Sequence, residues 1–174
     1  MAWNVLFARL MVAPVLIFAV GNESRGDDAL APLLLRQLQS DSPVQAELVE
    51  EYQLQVEHVT DLLERNAVLF VDADASCDAP FRFSEIAALH DNSYTSHAMT
   101  PAALLYAYRQ VYGIDAPDSF LLRIRGYDFE LGDPLSLKAT ANLEAARELV
   151  AGLCAAASPS AWREKLTENL IANN

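Results

Sequence analysis

The run Val15-Leu-Ile-Phe-Ala-Val20, then Gly21-Asn22-Glu-Ser-Arg-Gly26-Asp27-Asp28, then Leu30, Leu33, Leu34 and Leu38, decides the fold. A short, continuous run of bulky apolar residues that stops at Gly21-Asn22 predicts a strand covered on both faces, as in a parallel or mixed sheet. Leucines recurring at three and four residues predict a helix, with Pro32 tolerable in its first turn. Strand, tight loop and helix together form the opening unit of an α/β domain.

The same rhythm continues outward. Residues Val44 to Leu54 can supply a second strand, and Val56, Val59, Leu62 and Leu63 mark an amphipathic helix. Ala67-Val-Leu-Phe-Val71 reads as a third buried strand ending at Asp72, and Phe81-Arg-Phe-Ser84 as a weaker one by alternation. Residues 87–99 form a polar loop with two of the three histidines. Pro101 opens a helix with apolar positions Leu104, Leu105, Tyr108, Val111 and Tyr112, closed by Gly113. Phe120 to Ile124 is a strand, residues 139–156 a long Ala/Leu helix, and Trp162, Leu166 and Leu170 place a last helix. The expected fold is a three-layer α/β/α domain with a mixed, about five-stranded twisted sheet and ligands outside the carboxyl ends of the strands. Residues 1–174 are read as one domain, with 1–14 an N-terminal extension and 158–174 a C-terminal helix.

Composition bounds what such a domain does. With 174 residues, 52% of them hydrophobic and 21% charged, the chain can bury a core, which excludes disorder and low-complexity architectures. Only 12 Lys and Arg stand against 24 Asp and Glu, so a nucleic-acid backbone or an anionic membrane is repelled, and a neutral, basic or metal-bearing partner is favoured. Cys77 and Cys154 are too far apart for a CxxC motif and too few for a disulfide framework, as suits a reducing, cytoplasmic setting. The apolar stretch from Val5 to Val20 contains Arg9, which costs about 2.5–3.5 kcal/mol on insertion scales, and Pro14, so neither a membrane span nor a signal peptide is expected there.

Three groups fall where a site belongs: Asp27-Asp28 after the first strand, Asp72 at the end of the third, and His97 before a helix. Each also has an ordinary structural reading. Either aspartate of the pair could serve only as a helix cap, Asp72 could lie exposed at its strand end, and His97 could be a loop histidine with satisfied hydrogen bonds. Together, two carboxylates and an imidazole suit a borderline divalent metal and leave coordination positions open. Other motifs fail. Gly21 to Gly26 lacks the middle glycine of a dinucleotide fingerprint and the Lys-Ser/Thr of a phosphate loop, and no Gly-x-Ser-x-Gly elbow exists. Asp72 and Asp74, two apart on an extended chain, do not imitate an aspartic-protease dyad, and His58 and His90 are expected at the surface.

Val20-Gly21-Asn22 with Arg25-Gly26-Asp27-Asp28, Phe70-Val-Asp72-Ala73, Thr95-Ser-His97 before Pro101-Ala-Ala-Leu-Leu, and Phe129-Glu-Leu-Gly132-Asp-Pro-Leu-Ser136 resemble the hydrogenase maturation endopeptidases. That family trims the C-terminus of the large subunit of nickel-iron hydrogenases. Two features depart from its pattern: Ala29, Leu30 and Ala31 stand where glycines usually follow the acidic pair, setting the first helical turn differently, and residues precede Val15. The resemblance implies that Asp28, Asp72 and His97 are the catalytic, metal-contacting residues, with Asp27 a cap or a support behind them. It also implies a monomer acting on a large-subunit precursor, whose nickel is supplied by the substrate rather than permanently bound. On this reading Asp27→Asn should be mild, since Asn also caps helices well. Whether the metal or a carboxylate-activated water drives hydrolysis stays open. A non-cleaving nickel-dependent assembly factor and a zinc metallopeptidase are the rival readings.

Overall fold

The computed structural model describes residues 12–41, 45–92 and 98–172; His97 and most of the expected extension lie outside these. Strands β1 (Val15–Val20), β2 (Ala46–Glu51), β3 (Ala67–Asp74), β4 (Phe81–Ile86) and β5 (Asp118–Arg125) form one sheet in the order β2-β1-β3-β5-β4. All neighbours are parallel except β4, which pairs antiparallel with β5 at the edge. Helices α1 (Leu30–Asp41), α2 (Pro101–Tyr112), α3 (Leu137–Ala156) and α4 (Pro159–Ala172) complete the expected three layers.

The sheet separates two cores. On one side Val15, Ile17, Ala19, Leu69, Val71, Phe120 and Leu122 meet the leucines of α1 and the Ala139, Leu143, Ala146, Val150 and Leu153 stripe of α3. Trp162 of α4 is fully buried there, edge-on to Phe120 at 5.1 Å, with its indole N–H donating to the Leu153 carbonyl. On the other side Leu16, Phe18, Val68 and Phe70 meet Leu104, Leu105 and Tyr108 of α2. The continuous apolar runs of β1 and β3 are therefore buried on both faces, which is why they carry no polar alternation.

Local chemistry places the helix ends. Thr100 caps α2 by accepting from the Ala103 N–H at 3.1 Å, Pro101 opens it, and Gly113 closes it at φ 68°. The segment after β2 departs from the expected amphipathic helix: it is a single 3-10 turn, Val56–Thr60, followed by further turns. Gln55 and His58 cap each other reciprocally, and Val56 is exposed. His58 is correspondingly not a surface residue; its ring packs edge-on against Phe18 at 5.4 Å. At Ala29 to Ala31, where the sequence departs from the family pattern, the chain makes a 3-10 turn over Gly26–Ala29 and α1 begins at Leu30.

Candidate active site

From β1 the chain crosses outward to β2 and then returns past β1 to β3, so the two crossovers leave in opposite directions. The crevice beyond the carboxyl ends of β1 and β3 is thus the switch point where ligands bind in open α/β sheets. The structure brings Asp28 and Asp72 there together.

Asp28 reaches the crevice because the chain folds tightly after Val20. A side chain at Gly21 would place its Cβ 2.2 Å from the Asp28 carbonyl oxygen, so only glycine lets the turn close. The Asn22 N–H then donates to Asp28 Oδ2 at 2.9 Å, fixing the carboxylate. Asp72, on the sheet face of Val68 and Phe70, is part-buried. Burial, with a small opposing effect of the Ala73 N–H and further repulsion from Asp28 and Asp74, pushes its pKa up to about 7. Such a group is half protonated at neutral pH and gains most from a cation placed beside it. Among the described residues it is neither solvent-exposed nor paired with an arginine.

Asp27 has a different task from the helix cap considered above; the 3-10 turn has no side-chain cap. Fully buried, it accepts from the Tyr127 N–H (2.7 Å), the Asp128 N–H (3.1 Å), and the Ser136 N–H (2.7 Å) and hydroxyl (2.8 Å). Burial alone would raise its pKa, but these donors outweigh it and hold the carboxyl below its ordinary range. The backbone reinforces the junction, with Asp27 N–H donating to the Asp128 carbonyl at 2.7 Å and Gly26 N–H to the Asp133 carbonyl at 3.1 Å. Gly26 adopts φ 52°, and a Cβ there would meet the Asp128 carbonyl oxygen at 2.6 Å. The loop that presents Asp28 is thereby clamped to residues 126–136, the segment after β5.

Asp74 is occupied elsewhere, which removes it as a catalytic partner for Asp72. Despite burial, its carboxyl is held below the ordinary range by the Ser76 hydroxyl and N–H, the Cys77 N–H and Arg123. Among the described residues no group of three or more His, Cys, Asp or Glu side chains could hold a metal ion. Asp28 and Asp72 supply two carboxylates, and the third expected contact, His97, falls outside the described residues. Sequence reasoning did not find Ser136 as the anchor of Asp27, although the Phe129–Ser136 segment had been singled out for its resemblance.

No protein-family model and no curated protein sequence matches the chain. Its likeness is to solved structures. The hydrogenase maturating endopeptidase HybD from E. coli superposes with a TM-score of 0.62 at 22% identity, covering 80% of this chain and 91% of that one. The NiFe hydrogenase maturation protease HycI from Thermococcus kodakarensis gives 0.62 at 20% identity, over 82% and 92%. The hydrogenase 2 maturation peptidase from a Thaumarchaeota archaeon gives 0.55 at 23%, over 78% and 94%. Over about four-fifths of its length, this chain has the fold of these hydrogenase maturation endopeptidases.

Proposed function

We propose that the protein is an endopeptidase that removes the C-terminal extension of a nickel-iron hydrogenase large-subunit precursor after nickel insertion. The observation that carries the reading is the convergence of Asp28 and part-buried Asp72 at the switch point of a fold shared with maturation proteases. Neither the assembly-factor nor the zinc-peptidase reading has a comparable observation behind it. Nickel enters as part of the substrate. Two carboxylates close enough to repel each other are relieved by a divalent ion, yet two or three such ligands hold a lone ion only loosely. They would complete the shell of an ion retained mainly by the precursor, so binding would report that loading has occurred.

In this reading Asp28, Asp72 and His97 contact the ion, and Asp27 holds the loop that carries Asp28. The enzyme is read as a cytoplasmic monomer working away from membranes and nucleic acid; the excess of 24 Asp and Glu over 12 Lys and Arg supports the avoidance of nucleic acid. The test is to mix purified wild type and the variants Asp28→Asn, Asp72→Asn and His97→Ala with nickel-loaded and nickel-free precursor. The expected outcome is trimming of loaded precursor by wild type alone. Equal cleavage of nickel-free precursor would defeat the metal-recognition mechanism. Stable docking without cleavage would favour an assembly factor, and firmly retained stoichiometric zinc a metallopeptidase.

A further inference from the structure

We propose that Arg82 and Arg123 form an anion-binding subsite beside the candidate active site, taking a carboxylate of the precursor a few residues from the bond to be cut. The inference rests on the endopeptidase reading above.

Register alone lines up the groups. Asp72 of β3 is the partner of Arg123 in β5, and Arg123 is directly opposite Arg82 in edge strand β4. The three side chains therefore share one sheet face in a single row: carboxylate, guanidinium, guanidinium. Like charges directly opposite on a sheet repel, so such a pair is a cost to the fold unless something neutralises it. This chain has twice as many acidic as basic residues with which to do so. Yet among the described residues Arg82 is exposed and makes no hydrogen bond or ion pair.

Arg123 is held ready. Its Nη1 donates to Asp74 Oδ2 at 3.0 Å, while Asp74 is itself pinned by Ser76 and Cys77. Its Nε is buried without a partner, and its side chain remains 35% exposed. Arg125, next on the same face, is committed elsewhere: Nη1 donates to the Cys77 carbonyl at 2.9 Å, and the guanidinium lies over the Tyr127 ring at 5.1 Å. Of the two guanidiniums only that of Arg123 has a carboxylate partner, Asp74, so Arg82 is left among the described residues without a counter-ion in an otherwise acidic protein. A planar carboxylate is the group whose geometry fits it.

Position fixes where that carboxylate lies. Strands are about 4.8 Å apart, so Arg123 and Arg82 stand roughly one and two spacings from Asp72, and an extended peptide advances about 3.3 Å per residue. The acidic residue is thus about one to three residues from the bond held at Asp28 and Asp72.

Steady-state cleavage of the nickel-loaded precursor by wild type, Arg82→Gln and Arg82→Glu tests the subsite; Arg82 is exposed on an edge strand, so folding is retained. Loss of one charged contact should raise KM roughly tenfold for Arg82→Gln, and more for Arg82→Glu, with kcat within about twofold of wild type. Replacing the precursor's acidic residue near the cut by lysine should raise KM for wild type and lower it for Arg82→Glu. Wild-type KM in both variants, a loss confined to kcat, or equally efficient cleavage of a precursor lacking an acidic residue there would overturn the subsite while leaving the endopeptidase reading intact. Failure of wild type to cleave any loaded precursor would overturn both.

Discussion

Asp27 and Asp72 are both carboxylates drawn out of water at the same end of the sheet, yet burial acts on them with opposite results. Around Asp27 the chain supplies three N–H groups and a hydroxyl, and the carboxyl is held ionised below its ordinary range. Around Asp72 burial dominates, helped by the charges of Asp28 and Asp74, and its pKa rises to about 7. A buried carboxylate whose acceptors are filled by the chain itself is a fastener. One left under-supplied is a vacancy in the electrostatics, which a cation or a proton must fill.

Removing the fastener should have the largest effect. Asp27→Ala orphans four buried or part-buried donors and should cost about 4 kcal/mol, lowering Tm by roughly 10 °C for a domain of this size, read by thermal unfolding. Asp27→Asn should cost about half as much rather than being mild, because its NH2 faces an N–H where a carboxylate oxygen stood. A cost below about 1 kcal/mol for either would erase the contrast between the two aspartates.

The next test sharpens the contrast through its sign. Asp72 has a folded pKa above its unfolded value, so the stability it contributes is fully present below about pH 4 and is lost as pH rises through about 7. Urea unfolding of the metal-free protein should show wild type losing about 2 kcal/mol more than Asp72→Asn between pH 5 and 8.5. Asp27 slopes the other way: its folded pKa is lowered, so its contribution is present above about pH 4 and lost as pH falls below that. Parallel pH curves for wild type and Asp72→Asn would show that the Asp72 carboxyl is not under-supplied.

The smallest expected effect comes from Ser136→Ala. Ser136 donates its hydroxyl to Asp27 and accepts from the Ala139 N–H as the cap of α3, so its loss should cost about 1.5 kcal/mol by chemical denaturation. A neutral result would mean that the backbone N–H groups alone fasten Asp27.

Sequence reading succeeded where a segment's conformation is decided locally. The unbroken apolar runs of β1 and β3, and the Thr100-Pro101 and Gly113 ends of α2, each carry their own physical cause within a few residues. It failed at Val56 to Leu63, where apolar spacing imitates a helix but a Gln55–His58 cap closes a single 3-10 turn. The role of Asp27 was hidden because its partners stand about a hundred positions later, where no spacing rule connects them. The meeting of Asp28 and Asp72 was legible because both stand at or past the carboxyl ends of strands in this fold class. The Arg82–Arg123 pairing required the register of two strands that the sequence does not reveal.

The clamp at Asp27 also sets a timetable for the molecule's synthesis. Asp27 and Ser136 are separated by 109 positions, so a chain still emerging from the ribosome has made both candidate acids long before it has made the donors that hold their loop in place. Closing so distant a contact carries loop entropy that only the finished sheet and α3 repay. An incomplete chain therefore carries the two acids without the frame that aligns them, and the proposed peptidase would assemble its site only after synthesis has passed residue 136.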